Sequence, residues 1–365
     1  MSRTSPGTAA NTPVEDETMS HEPRRAPLSL FALLALAMAG GCSDSSGPEE
    51  PEDRGVLISA AGFASGQGDP VWTSTGSQLA YISLGDEGVN AVNAVTVAAP
   101  NTVRQFHASS ATVPLALSGA GSHIYFGLAV TSGGLNDANF LIMRVEPAAG
   151  SPELLITTFQ SSRDYVVVSE DERFLVTRSR LYDLQAGGAI DLPGGTPVGF
   201  SSDGTQLLYN VDQTSSSVPL PTLIATADGS ARPLHPTGTF YHGHRWQGNS
   251  PQLLRVSNNH QGTVSVSEVD GMTGATRDLA EFAISHTGYG FESGNWSRDG
   301  GALAVWIDEG RLTRLYVIRA GSAPAPVASV TGSVSRPVFS PNGSSIAYFL
   351  YLGLGQRRLY LKSGI

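Results

Sequence analysis

The chain has 365 residues, 40% of them hydrophobic, with 42 glycines, 22 prolines, one cysteine and a formal net charge of −10. A lone cysteine excludes an intramolecular disulfide and a thiolate metal cluster, and an acidic surface repels phosphates, so nucleic acid is not an expected partner. The glycine and proline content suits an all-β protein built from many turns.

In chain order, Arg24 and Arg25 precede a 14-residue run of apolar and small residues, Ala26 to Ala39, followed by Gly40, Gly41 and Cys42. A positive flank, a short apolar core and small residues before a cut describe a secretory signal, and the core is too short to cross a bilayer as a helix. The leading 18 residues are long for such a signal, which makes Met19 an alternative start. AMAGGC, ending at Cys42, resembles the bacterial lipobox, with Ala39 where leucine is commonest. That resemblance implies a diacylglycerol on Cys42, which becomes the new N-terminus. The polar stretch from Ser43 to Asp53 has nothing apolar to bury and reads as a tether. The expected organisation is a signal peptide over 1–41, a tether over 42–53 and a globular domain over 54–365.

GVLISAAG, residues 55–62, is an apolar strand with no hairpin partner nearby. From Pro70 onward a unit recurs: a strand ending in a large anchor, a short turn with glycine, then an apolar return strand. The clearest copy is PVFSPNGSSIAYF, Pro337 to Phe349, with anchor Phe339 and turn Ser340-Pro341-Asn342-Gly343. Proline presets the φ of such a turn, and glycine tolerates the left-handed conformation that closes it. The anchors are Trp72, Leu117, Val168, Phe200, Trp246, Trp296 and Phe339, at steps of 32 to 51 residues. The third unit is short and its turn, Glu170-Asp171-Glu172, has no glycine. The fifth reads as a turn lengthened by Asn249, Ser250 and Pro251.

This period, with four strands per unit, is the signature of a β-propeller, in which each sheet buries its faces against its neighbours. The expected fold is all-β, seven four-stranded blades, with the anchors filling the space between blades. The last unit offers only three strands, so the lone N-terminal strand should complete it and close the ring. The repeat resembles the WD40-like, TolB-type propeller motif, close to PxWSPDGxxIAY, over nearly all of Pro70 to Tyr360. The resemblance implies a propeller, commonly in a periplasmic or cell-surface setting. It does not imply one activity, since such propellers serve as interaction platforms, lyases and accessory domains of serine peptidases.

Serine hydrolysis has no support: there is no GxSxG elbow and no α/β domain after the repeats. The densest polar cluster is YHGHRW, Tyr241 to Trp246, with His260 and His286 beyond it. His242 and His244 lie two apart on a strand, which predicts one shared face able to hold a metal, with His260 as a further candidate. The competing expectation is packing, because His244 stands at the place of Pro70 and Pro337, on the side of the anchor. Asp203-Gly204, Asp299-Gly300 and Asn342-Gly343 lack alternating acidic ligands and read as hairpin turns capped by their own side chains, not Ca²⁺ loops. Arg311, Arg314, Arg357 and Arg358 read as solvated strand positions. The function these features favour is a non-enzymatic, lipid-anchored propeller without a cofactor, binding a cell-envelope protein or glycan. It would touch the membrane only through its lipid, with Ser43 after Cys42 favouring the outer membrane in a Gram-negative cell. The alternative is a carbohydrate-active propeller, such as a metal-dependent polysaccharide lyase using His242, His244 and His260.

Overall fold

The computed structural model describes residues 52–59, 68–84, 89–109, 112–130, 139–148, 150–159, 165–213, 218–235, 241–259, 261–286, 288–353 and 356–365. The expected signal peptide, Cys42, most of the expected tether and His260 lie outside them. The described residues form seven four-stranded antiparallel sheets and no helix. Six sheets run outward in chain order, the innermost strands being Val71–Trp72, Thr112–Ala120, Val167–Val168, Gly195–Phe200, Gly243–Gln247 and Phe291–Trp296. In the seventh, Val338–Phe339, Ser345–Tyr351 and Arg357–Ser363 are completed by Val56–Ser59 as the outer strand. The N-terminal strand therefore closes the ring. The register pairs Val56 with Leu361 and Leu57 with Tyr360. Contacts start two residues ahead of the expected boundary: Glu52 accepts from the Thr331 N–H at 2.8 Å, and Asp53 bridges to Ser329 of the sixth blade and pairs with Lys362.

Each anchor faces the blade before its own. Trp72 packs with Phe349 and Leu359 of blade seven and donates its indole N–H to the Val338 carbonyl at 3.1 Å. Trp296 packs on Leu254, Val264 and Val266 of blade five, with the Arg245 guanidinium stacked 4.7 Å from its ring. Seven buried clusters result, one at each junction. A lone blade could not cover both of its faces, so this radial burial is what the repeat period encodes. The junction between blades four and five differs: its buried members are all aliphatic, Leu208, Leu223, Leu234, Leu253 and Val269.

Two local expectations, on the fifth turn and on Arg357, are corrected. The short third blade is complete, as seven four-stranded blades require, with strands of two to four residues. Its turn places Glu172, at φ 58°, in the left-handed position that Gly76, Gly204, Gly300 and Gly343 occupy elsewhere. The fifth turn is shortened rather than lengthened: Gln247 pairs with Ser250, leaving Gly248 and Asn249 as a two-residue turn, and Asn249, Ser250 and Pro251 are no insertion. Arg357 is not solvated. It is 2% exposed, donates to the Ile82 carbonyl of blade one, and lies 4.1 Å over the Phe349 ring.

Candidate functional site

Antiparallel order separates the connections by face. Turns from first to second and from third to outer strand share one face, while second-to-third and blade-to-blade connections share the other. On the first face the repeat makes one hydrogen-bond set over and over. Ser201 Oγ donates to Asp203 at 2.7 Å and accepts from the Gln206 N–H at 3.0 Å. Ser297 does the same with Asp299 and Ala302, and Ser340 with Asn342 and Ser345. These acidic and amide groups are consumed by the turns they cap.

The opposite face carries the second-to-third and blade-to-blade connections, such as 309–312 and the longer 331–337 among the described residues, and rigid scaffolds tend to carry function on such loops. Among the described residues the exposed tyrosines Tyr165, Tyr289 and Tyr351 all sit there.

The sequence candidates separate. His244 turns to blade four, where Gly199 makes room for it; a Cβ at residue 199 would stand 2.6 Å from Nε2. Burial, with the Arg336 charge second, holds its imidazole down to about 4, so the ring is neutral. His242 turns to blade six, its ring edge-on to Phe291 at 4.8 Å and its Nε2 3.0 Å from the Tyr289 hydroxyl. Burial also lowers this imidazole. The two imidazoles therefore do not share a face. The cause is local: the His242 N–H donates to the carbonyl of Leu254, the residue already paired with Gly243, so strict alternation ends at Gly243. Among the described residues no group of three or more His, Cys, Asp or Glu is placed to hold a metal, so no metal step is derived from His242 and His244.

What the structure brings together instead is the connection from blade five to blade six, residues 284–290, of which only His286 stood out in the sequence. Asn258 Nδ2 donates to the Gly288 and Tyr289 carbonyls at 2.6 and 2.7 Å. His286 Nδ1 accepts from the Gly288 N–H at 2.9 Å, which leaves its Nε2 to meet the Asp308 carbonyl at 3.0 Å and the Asp308 carboxylate at 3.3 Å. A Cβ on Gly288 would stand 2.6 Å from His286 Nδ1, and Gly290 has φ 72° with a Cβ position 2.6 Å from Ile284. Both glycines are therefore required by this loop. Their pattern, Gly288-Tyr289-Gly290 behind His286, was the signal available in the sequence. Just beyond, the innermost strand bulges at Glu292, between the pairs Phe291–Ile307 and Ser293–Trp306, a device that re-aims a side chain. Glu292 is reachable by water and bonded to no described residue. The protein around it strips enough hydration, with the Asp308 charge second, to hold its carboxyl above the usual range.

No family model and no curated protein matches the chain. Solved structures do. An oligogalacturonate lyase in complex with manganese aligns at TM-score 0.59 and 15% identity, over 84% of this chain and 90% of that one. A prolyl endopeptidase aligns at 0.56 and 11%, over 84% of this chain; the chain spans 50% of that protein's length. TolB from Acinetobacter baumannii aligns at 0.44 and 15%, over 78% of this chain and 79% of that one, too distant to bear on the fold. At these identities the first two likenesses show a shared propeller fold.

Proposed function

We propose that this protein is a lipid-anchored, extracytoplasmic propeller that binds a cell-envelope protein or glycan through its long-connection face, without chemistry of its own. The observation that carries this is the contrast between faces: repeated polar groups on one are spent on turns, whereas Tyr289 on the other is held in place and left uncovered. Lipidation of Cys42, followed by a polar tether, would hold the propeller at a membrane surface outside the cytoplasm. In intact cells, a photo-crosslinking side chain at position 289 should yield adducts and one at Ser344, on the turn face, should not. Equal adducts from both, or none from either, would overturn the reading. Separately, Cys42→Ser should move the folded protein from the membrane fraction to the soluble one; unchanged membrane recovery would remove the anchor.

A second reading, a propeller acting on polysaccharide, is favoured by one observation: Glu292 is bonded to no described residue and is held above the ordinary carboxyl range by desolvation, with the Asp308 charge second, as groups used for proton transfer often are. Release of unsaturated sugar ends from polysaccharide, abolished by Glu292→Gln, would establish it.

A further inference from the structure

We propose that Tyr289, with Glu292 three residues on at the bulge of the strand that follows, forms a subsite for one uncharged sugar ring of an envelope glycan, which rests on the glycan branch of the function given above. Tyr289 is 47% exposed, yet it is fixed from three directions. Its hydroxyl meets His242, its carbonyl accepts from Asn258, and its edge stands at 88° to Phe291. Fixing a side chain costs rotamer entropy, and a face that buries nothing does not recover that cost within the fold. A ligand recovers it, because the ordering has been done before binding.

The surroundings decide the chemical class. A pyranose offers an apolar C–H face to an aromatic ring and a rim of hydroxyl donors. Tyr289 supplies the ring, and Glu292 supplies carboxylate acceptors that no described residue uses. A protein partner would want a central cluster of apolar anchors, whereas the side chains that hold this connection are polar: Asn258 bonds the Gly288 and Tyr289 carbonyls, and His286 meets Asp308. Uronates and phosphorylated sugars would meet two carboxylates, Glu292 and Asp308, with His286 already engaged by the latter. An uncharged hexose or N-acetylhexosamine is what remains.

The test is affinity electrophoresis of the purified full-length protein through gels containing a β-glucan, a galactomannan or glycol chitin, with polygalacturonate as the charged counterpart. Retardation by at least one of the three uncharged polymers, and not by polygalacturonate, is expected. Tyr289→Ala should weaken it about tenfold or more, whereas Tyr289→Phe, which keeps the ring, should stay within about threefold. Glu292→Ala should also weaken it, and all three variants should melt with the parent protein. No retardation by any uncharged polymer, or retardation by polygalacturonate alone, overturns the proposal. Retardation untouched by Tyr289→Ala and Glu292→Ala also overturns it while leaving the binding face intact. Absence of crosslinks at position 289 would instead remove the face itself.

Discussion

The two faces of this propeller are built from the same strands and obey different rules. On the turn face, Ser201, Ser297 and Ser340 repeat one hydrogen-bond pattern with Asp203, Asp299 and Asn342. On the other face, the network of His242, Asn258, His286, Tyr289 and Asp308 is specific to one connection. A group needed to close a blade is needed in every blade. A group that occurs once and spends its hydrogen bonds on holding an exposed ring has no such structural explanation.

The strongest way to break this comparison is to open the ring, since both faces depend on it. Removing residues 54–59 takes away the outer strand of blade seven, the buried Ile58 and the Arg54 carbonyl that accepts the Tyr348 hydroxyl proton. One buried isoleucine and several hydrogen bonds amount to roughly 4–6 kcal/mol. Denaturant unfolding of the truncated protein should show that loss; an unchanged midpoint would mean that the strand is an ornament. Next, Trp296→Ala should cost about 3–5 kcal/mol by cavity formation between blades five and six, leaving Arg245 without its stacking partner. If the variant instead kept its stability and lost a ligand, the anchor would belong to a binding surface.

His244 sharpens the comparison through pH. Its folded value of about 4 lies below the ordinary 6.5, so the unfolded chain takes up the proton first. The stabilisation is complete above pH 6.5 and is lost as the pH falls from 6.5 towards 4, by up to about 3 kcal/mol. Burial lowers His242 in the same direction. Chemical unfolding between pH 4.5 and 7 should show this slope in the parent and a flatter one in His244→Asn; parallel slopes would place the imidazole outside the junction.

The architecture was legible in the sequence because a propeller repeats its reasons: large anchors at near-regular steps, glycine after the turn, and a strand count short by one that the N-terminal strand repairs. The misreadings arose where a single residue broke the pattern. Pro251 and its neighbours looked like added length, although Gly248 at φ 58° lets two residues turn the chain. Arg357 looked solvated because nothing local reveals that blade one covers it. The site was the least legible part. Alternation predicted that His242 and His244 share a face, and a carbonyl already paired with Gly243 undid it. Tyr289 carried only its flanking glycines as a mark, and the partners that hold it come from two separate strands, Asn258 and Phe291, and from the approach to a third, His242.

Glu172 gives the smallest and most discriminating test, because it is the one described non-glycine residue at positive φ. A side chain there carries strain of about 1 kcal/mol relative to glycine, which its carboxylate offsets through bonds to blade two. It accepts from the Ser122 N–H at 3.1 Å and the Tyr125 hydroxyl at 3.1 Å, and meets His123 Nδ1 at 2.9 Å. Gly121 leaves the space this requires, since a Cβ there would overlap the Glu172 carboxylate. Glu172→Ala keeps the strain and loses the bonds, so it should cost about 2 kcal/mol. Glu172→Gly loses the same bonds but restores the glycine used at residues 76, 204, 300 and 343, so it should cost about 1 kcal/mol less than the alanine variant. Denaturant midpoints for the pair measure that difference. Equal midpoints would mean that the left-handed turn carries no strain, and that blade three follows the repeated rule of its face without any compensating contact.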